Sequence, residues 1–294
     1  MNNLSVAVSD PRQAPLATGW QGRKGERDHF ALFGNPVGHS LSPVMHNAAL
    51  EKFRYPGHYL AFQIENLSAA IQGVRGFGIR GVSVTMPFKE EVMSYLDEVE
   101  SAAARIGAVN TIVNDRGHLT GYNTDWMGMV ESLEEHLPIP GKVFLILGTG
   151  GAARAAIYGI KERGGQPLLT GRNQDKTKAL ASEWRIPFLK IEDIAQARAD
   201  VLINTSPIGM APEVGRSPLP KNIPGQFPWV MDMIYRPMET QLLKDAREAG
   251  SSVINGMGMF INQGAAQFKL WTGLEPPRPF LRKILKKRLN GEGE

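Results

Sequence analysis

From His29 onward, short apolar runs alternate with amphipathic stretches and turn residues. Residues 31–34 end a strand, which Asn35-Pro36-Val37-Gly38 breaks. Ser42 and Pro43 then predict a helix through Leu50 and Phe53, with the serine as N-cap and the proline in the first position. The run HYLAFQI (58–64) predicts a second strand, and Asn66 caps a helix carrying Leu67, Ala70, Ile71 and Val74. Residues 81–86 alternate as a strand and lead into Pro87-Phe88-Lys89. A short helix is predicted over 101–105, followed by a hairpin that turns at 114–117. This β-α-β-α-β order predicts an α/β domain over 29–123.

Residues 124–137 predict a connecting helix, capped by Thr124 and ended by Pro138 and Pro140. Beyond it lies the most coherent stretch, KVFLILGTGGAARAAIYGIKERGGQPLLTGR (142–172). Its apolar run, 143–147, lies between Gly141 and Gly148 and suits a buried parallel strand. Gly148, Gly150 and Ala153 follow in the order G-x-G-x-x-A, and small and apolar residues continue at helical spacing. Such glycines allow a tight strand-to-helix turn and let the backbone approach a pyrophosphate, which the helix N-terminus attracts. A second strand is predicted at 166–170. Its end carries Gly171, Arg172 and Asn173 in place of the carboxylate that would bind a ribose 2′-hydroxyl, with Lys176 one turn on. A guanidinium there suits a 2′-phosphate, so the stretch reads as an NADP site. Further strands are expected at 201–204, 229–234 and 252–254, with a helix over 240–248 ending at Gly250. The loop 207–228 holds six prolines and is expected to be irregular. The NADP domain is thus expected over 124–258. A helix over 259–271 and a C-terminal helix would bring 259–294 back to the first domain.

Composition narrows the classes. At 294 residues the chain is long for one core, so two domains are expected. The net charge of +4 is modest. Much of it sits in the tail Arg278, Arg282, Lys283, Lys286, Lys287 and Arg288, where Phe280, Leu281, Ile284, Leu285 and Leu289 share a helical face. A docked helix with solvated lysines accounts for this, so no nucleic-acid or membrane partner is expected. With no cysteine, disulfides, thiolate metal sites and cysteine nucleophiles are excluded, and a cytoplasmic setting is expected. No apolar run approaches the ~20 residues of a membrane span. Residues 1–28 lack a signal-peptide pattern and read as a flexible extension.

Polar residues gather where the apolar patterns of the first domain end. Ser40 and Ser42 at a helix start offer two hydroxyls and free N–H groups to a small carboxylate; they read equally as a turn and a cap. Lys89 follows a strand and reads either as a desolvated proton donor or as a solvated lysine beside Glu90 and Glu91. Asp125 reads as a catalytic carboxylate or as a first-turn residue favoured by the helix dipole. Hydride transfer to a carbonyl needs a proton for the oxygen, and a Lys–Asp pair would serve. The six histidines show no metal-ligand spacing, so no metal is expected.

The segments GNPVGHSLSPVMHNAAL (34–50), VSVTMPFK (82–89), GAVNTIV (107–113), GYNTDWMG (121–128), LGTGGAARA (147–155), INTSPIGM (203–210), DMIYRP (232–237) and GMGMFINQGAAQF (256–268) resemble the shikimate dehydrogenase family. They occur in the family's order and span about residue 30 to Gly273. The resemblance implies an N-terminal α/β substrate domain and a C-terminal Rossmann-like NADP-binding domain with a cleft between them. It implies carboxylate binding by Ser40 and Ser42, and substrate-hydroxyl contacts from Thr85, Asn110, Asp125 and Gln263, with Tyr235 near the substrate. Lys89 and Asp125 would be the catalytic pair. The cofactor loop would be Gly148, Gly150, Gly151 and Ala152, the 2′-phosphate clamp Arg172, and the nicotinamide neighbours Thr205, Ile234, Gly256 and Met259. The implied reaction is reversible NADPH reduction of 3-dehydroshikimate to shikimate, on the route to chorismate and aromatic amino acids, by a monomer or homodimer. One departure stands out: the family often reads Asn-Arg-Thr where this chain has Gly171-Arg172-Asn173. Asn173 and Lys176 would compensate, with relaxed discrimination against NAD. The rival readings are a quinate/shikimate dehydrogenase, decided by the space around Ser40, Ser42 and Tyr235, and a non-catalytic NADP-sensing protein. The presence of both Lys89 and Asp125 speaks against the sensor.

Overall fold

The computed structural model describes residues 27–290. Apart from its last two residues, the extension expected over 1–28 lies outside them, and Asp28 already opens the first strand. The chain divides into two compact units. The first ends at Arg105, resumes over Val109–Tyr122 and takes in the chain from Ala265 on; the second holds Ile106–Ala108 and Asn123–Gly264.

In unit 1, strands β1 (Asp28–Gly34), β2 (Gly57–Gln63) and β3 (Gly81–Val84) pair in parallel, with β1 in the middle. Helices α1 (Ser42–Lys52) and α2 (Leu67–Gly76) are the crossovers. A two-residue strand β4 (Glu98–Val99) and helix α3 (Ser101–Ile106) precede the hairpin β5 (Thr111–Asp115) and β6 (His118–Tyr122). The hairpin extends the sheet antiparallel to β3, giving the order β2-β1-β3-β5-β6-β4. Ala31, Phe33, Val82, Val84 and Ile112 from the strands meet Leu67, Ile71 and Val74 of α2 in one buried core. The 3-10 turn Glu91–Tyr95 and β4 carry no sequence signal, because both are too short to show a period.

Unit 2 begins with α4 (Asp125–Glu134), then β7 (Val143–Leu147), α5 (Gly151–Glu162), β8 (Gln166–Thr170) and α6 (Gln174–Trp184). It continues through β9 (Val201–Asn204), β10 (Trp229–Asp232), α7 (Gln241–Glu248) and β11 (Ser252–Ile254). All five strands are parallel, in the order β11-β10-β9-β7-β8. Within the unit this is the doubly wound order 2-1-3-4-5, which reverses direction at β7 and opens a crevice there between the strand ends. The proline-rich loop forms only the short 3-10 turn Pro224–Gln226.

The last two helices are α8 (Met257–Thr272) and α9 (Arg278–Asn290). Sequence expects 259–294 in the first domain, but the start of α8 belongs to unit 2. The reason is close backbone packing: a Cβ on Gly128 of α4 would stand 2.7 Å from both Met259 O and Gln263 N. The end of α8 belongs to unit 1, where Trp271 covers Gly81 and its Nε1 donates to Ile112 O at 3.0 Å. Residues 106–108 also depart from the expected boundary, held by Asn123 Nδ2 on Ala108 O and Arg154 Nη1 on Ile106 O. In α9, Leu281 and Leu285 are buried while Lys283, Lys286 and Lys287 are exposed.

One predicted cap shifts by one residue, and a second keeps its place without a side-chain bond. Helix α1 starts at Ser42 itself, with Leu41 at the cap; Ser40 Oγ accepts from the Ser42 N–H at 3.2 Å. Helix α4 starts after Thr124, whose side chain makes no cap bond; Asn123 Oδ1 accepts from the N–H groups of Asp125 and Trp126. In both, the residue upstream of the cap satisfies the free N–H groups.

Candidate active site

The unit 1 candidates cluster around the carboxyl ends of β1 and β3. Ser40 Oγ donates to Ser42 Oγ at 3.1 Å, so the two hydroxyls do meet. Thr85 continues the β3 ladder, its N–H donating to Phe33 O at 2.9 Å. Asn110 O accepts from the Val84 N–H at 2.8 Å, and Lys89 O from the Val109 N–H at 2.7 Å. Thr85, Lys89 and Asn110 therefore share one backbone frame. Asn110 is buried, and Lys89 is half-buried.

In unit 2, Asp125 opens α4 and is buried, one helical turn before Gly128. Gly128 abuts Gln263 and Met259, so the α4–α8 seam carries Asp125, Gln263 and Met259 together. Gln263 Nε2 donates to Phe260 O within its own helix at 2.9 Å. Tyr235 stacks on Phe260 with ring centroids 4.1 Å apart. Gly256 donates its N–H to Ile234 O at 3.1 Å, which brings two nicotinamide candidates into contact.

The glycine loop sits at the switch point of this sheet. Gly148 has φ +133°, a conformation rare for residues with a side chain, and a Cβ there would overlap Thr205 Oγ1. Thr205 is held in place by its own hydroxyl, which donates to Leu147 O at 2.9 Å. Helix α5 starts at Gly151 with Gly150 as its cap, so the N–H groups of Gly151 and Ala152 have no intrahelical acceptor. Nothing lies within 4 Å of where a Cβ on Gly150 would stand, which leaves the helix end open to an anion.

The loop after β8 explains the departure at position 171. A Cβ on Gly171 would stand 2.9 Å from Thr177 Oγ1 and 3.2 Å from Thr149 Cγ2, so a larger residue crowds its neighbours. Arg172 and Lys176 are exposed. Asn173 caps α6, its Oδ1 accepting from the Lys176 N–H at 3.0 Å. Its oxygen is thus committed to the helix, and the group it can offer a phosphate is the amide NH2.

One group in unit 2 carries no sequence prediction. Asp232, fully buried at the end of β10, accepts from Thr240 Oγ1 at 2.7 Å, Asn204 Nδ2 at 3.1 Å and the Ile234 N–H at 3.1 Å. Asn204 Oδ1 in turn accepts from the N–H and hydroxyl of Ser206. This ties down the segments carrying Thr205 and Ile234. Burial pushes the Asp232 carboxyl up to about 6, against the pull of its three donors. The available signal is a polar residue ending each apolar run, Asn204 after VLI and Asp232 after WVM. Among the described residues, no three metal-ligating side chains are grouped to hold an ion.

A doubly wound parallel sheet with a glycine loop at its switch point defines a dinucleotide-binding unit, here joined to a second α/β unit. Residues 32–112 match the family described as "Shikimate dehydrogenase substrate binding domain", and 256–286 match "Shikimate 5'-dehydrogenase C-terminal domain". The chain is 44% identical over 273 residues to a shikimate dehydrogenase (NADP(+)) from a Geobacillus species, covering 89% of this chain and 99% of that one. It is 42% identical over 255 residues to one from Caldanaerobacter subterraneus, covering 83% and 91%. Among solved structures, shikimate 5-dehydrogenase from Thermus thermophilus in complex with NADP(H) and shikimate superposes with a TM-score of 0.81. It is 36% identical, over 88% of this chain and 99% of that one. The chain belongs to the shikimate dehydrogenase family.

Proposed function

We propose that this protein catalyses the reversible NADPH-dependent reduction of 3-dehydroshikimate to shikimate, with Lys89 and Asp125 handling the proton. The observation that carries the reading is 44% identity extending over 99% of the Geobacillus enzyme, which leaves almost no part of that relative unmatched. The reaction feeds chorismate and the aromatic amino acids. A cytoplasmic setting is supported by the cysteine-free composition.

The residues present fit the cofactor. The N–H groups at the start of α5 and the open space over Gly150 suit a pyrophosphate, and exposed Arg172 and Lys176 suit a 2′-phosphate. Bound NADPH supplies the hydride to the carbonyl carbon of the substrate. The carbonyl oxygen then gains negative charge, and the Lys89 ammonium donates a proton to it; in the reverse direction the Lys89 amine takes that proton back. The Asp125 carboxylate accepts a hydrogen bond from a substrate hydroxyl. Ser40 and Ser42 donate to the substrate carboxylate, and Thr85, Asn110 and Gln263 hold its hydroxyls.

Lys89→Ala and Asp125→Ala test the assignment. Each should lower kcat by roughly 10²–10⁴-fold, the scale of general acid–base catalysis, while the Kd for NADP stays within about twofold. Turnover persisting in both variants would refute the proton-handling pair. NADP binding without turnover in the unaltered protein would point instead to the sensor.

A further inference from the structure

Unit 1 holds a chain of buried polar side chains that ends on Asn110. Tyr59 donates its hydroxyl proton to Ser83 Oγ at 2.7 Å, and Ser83 donates to Gln267 Oε1 at 2.9 Å. Gln267 Nε2 then donates to Asn110 O at 3.1 Å and to Thr111 Oγ1 at 3.0 Å. Thr111 donates to Asn110 Oδ1 at 2.7 Å. Tyr59, Ser83, Gln267, Thr111 and Asn110 are each at most 4% exposed.

The proton directions in this chain follow from counting. A tyrosine and a serine have one hydroxyl proton each, and an amide NH2 has two. With Ser83 donating, Gln267 presents its oxygen to the serine and both its N–H groups to residues 110 and 111. His46 stacks on Tyr59 with ring centroids 4.4 Å apart. Because Thr111 Oγ1 accepts from Gln267, its single proton goes to Asn110 Oδ1. The bond from Thr111 thus fixes which end of the Asn110 amide is which, with the NH2 directed away from Thr111.

We infer that Thr111 and Gln267 are positioning residues for substrate recognition, fixing the amide of Asn110 so that it meets a hydroxyl oxygen of the substrate as a donor. The inference rests on the reading of Asn110 as a substrate contact. A hydroxyl that accepts from Asn110 keeps its own proton for an acceptor such as a carboxylate. The amide is thus set before substrate arrives, and no rotamer freedom is lost on binding. Tyr59, at the far end, stabilises the core without setting the amide, since Ser83 donates to Gln267 whether or not Tyr59 has a hydroxyl.

Thr111→Val removes the donor to Asn110 while keeping the shape. It should raise KM for shikimate roughly tenfold with kcat within about twofold, as expected when an interaction common to ground and transition states is lost. Thr111→Ser should restore the KM, and Tyr59→Phe should leave it within about twofold despite a lower unfolding temperature. Gln267→Met, which frees the Thr111 hydroxyl to turn, should raise KM about threefold, and it stands in if Thr111→Val does not fold. NADP affinity, followed by nicotinamide fluorescence, should be unchanged in all four. An unchanged KM in folded Thr111→Val and Gln267→Met, with KM raised in Asn110→Ala, would overturn the positioning role and leave the site intact. An unchanged KM in Asn110→Ala itself would overturn the contact and the inference with it.

Discussion

The two units solve the same problem, fixing polar groups near strand ends, with opposite chemistry. Unit 1 uses neutral groups in series, from Tyr59 through Ser83 and Gln267 to Thr111 and Asn110. Unit 2 uses one carboxylate, Asp232, with three donors converging on it. A neutral series transmits orientation, because from Ser83 onward each donor decides the role of the next group. A buried carboxylate only accepts, so it anchors segments without choosing an amide's face. The first arrangement suits a site that must read the hydroxyls of a small substrate. The second suits a scaffold beneath a cofactor held mainly by backbone N–H groups and exposed cations.

The strongest way to break this comparison is to remove the anchor. Asp232→Ala leaves the Thr240 hydroxyl, the Asn204 amide and the Ile234 N–H without their acceptor in a dry interior. It should cost about 4 kcal/mol in urea unfolding, several times the ~1 kcal/mol of a lost neutral hydrogen bond in Tyr59→Phe. Equal losses would mean the two networks do not differ in kind.

A second test uses pH, where the two units oppose each other. The raised Asp232 carboxyl binds a proton more tightly in the folded state. Its contribution is fully present below the unfolded value of 3.8 and is lost as pH rises through about 6. In unit 1, burial lowers His46 from 6.5 to about 3, so its contribution is present above 6.5 and lost as pH falls. Between pH 6 and 4 the two effects offset. Asp232→Asn removes one of them, so this variant should lose about 2 kcal/mol more than the unaltered protein over that interval. Parallel stability curves for the two would contradict the assignment.

The smallest effect belongs to the exposed clamp. Arg172→Ala should weaken NADP binding about fivefold at low salt and leave NAD binding unchanged, with the difference shrinking as ionic strength rises. Titration of each cofactor at two salt concentrations measures it. A loss shared by NADP and NAD would place Arg172 elsewhere on the nucleotide.

Much of this fold is legible in the sequence, and the gaps have physical causes. β7, β8 and β9 stand where the apolar runs between glycines and turns place them, because strands buried on both faces need no period to be seen. The cap of α1 moves to Leu41, and Thr124 caps α4 without a side-chain bond, because Ser40 and Asn123 reach forward to the N–H groups they satisfy. The start of α8 reads as unit 1 because the helix runs on toward the C-terminal helix, and its close approach to Gly128 reveals its unit. In the site, the motifs carry Lys89, Asp125 and the glycine loop by number. They do not carry the direction of a hydrogen bond, so the series behind Asn110 and the Asp232 anchor emerge only from the structure. The glycine at 171 shows the reverse case, a departure visible in sequence whose cause, Thr177 and Thr149, is three-dimensional.

The central claim is tested most directly by initial rates of the purified protein with shikimate and with quinate, each with NADP and with NAD. The account predicts fast turnover with shikimate and NADP, much slower turnover with NAD, and little with quinate. Comparable rates on quinate would contradict it in favour of the broader quinate/shikimate enzyme, and no turnover with any pair despite NADP binding would contradict it altogether.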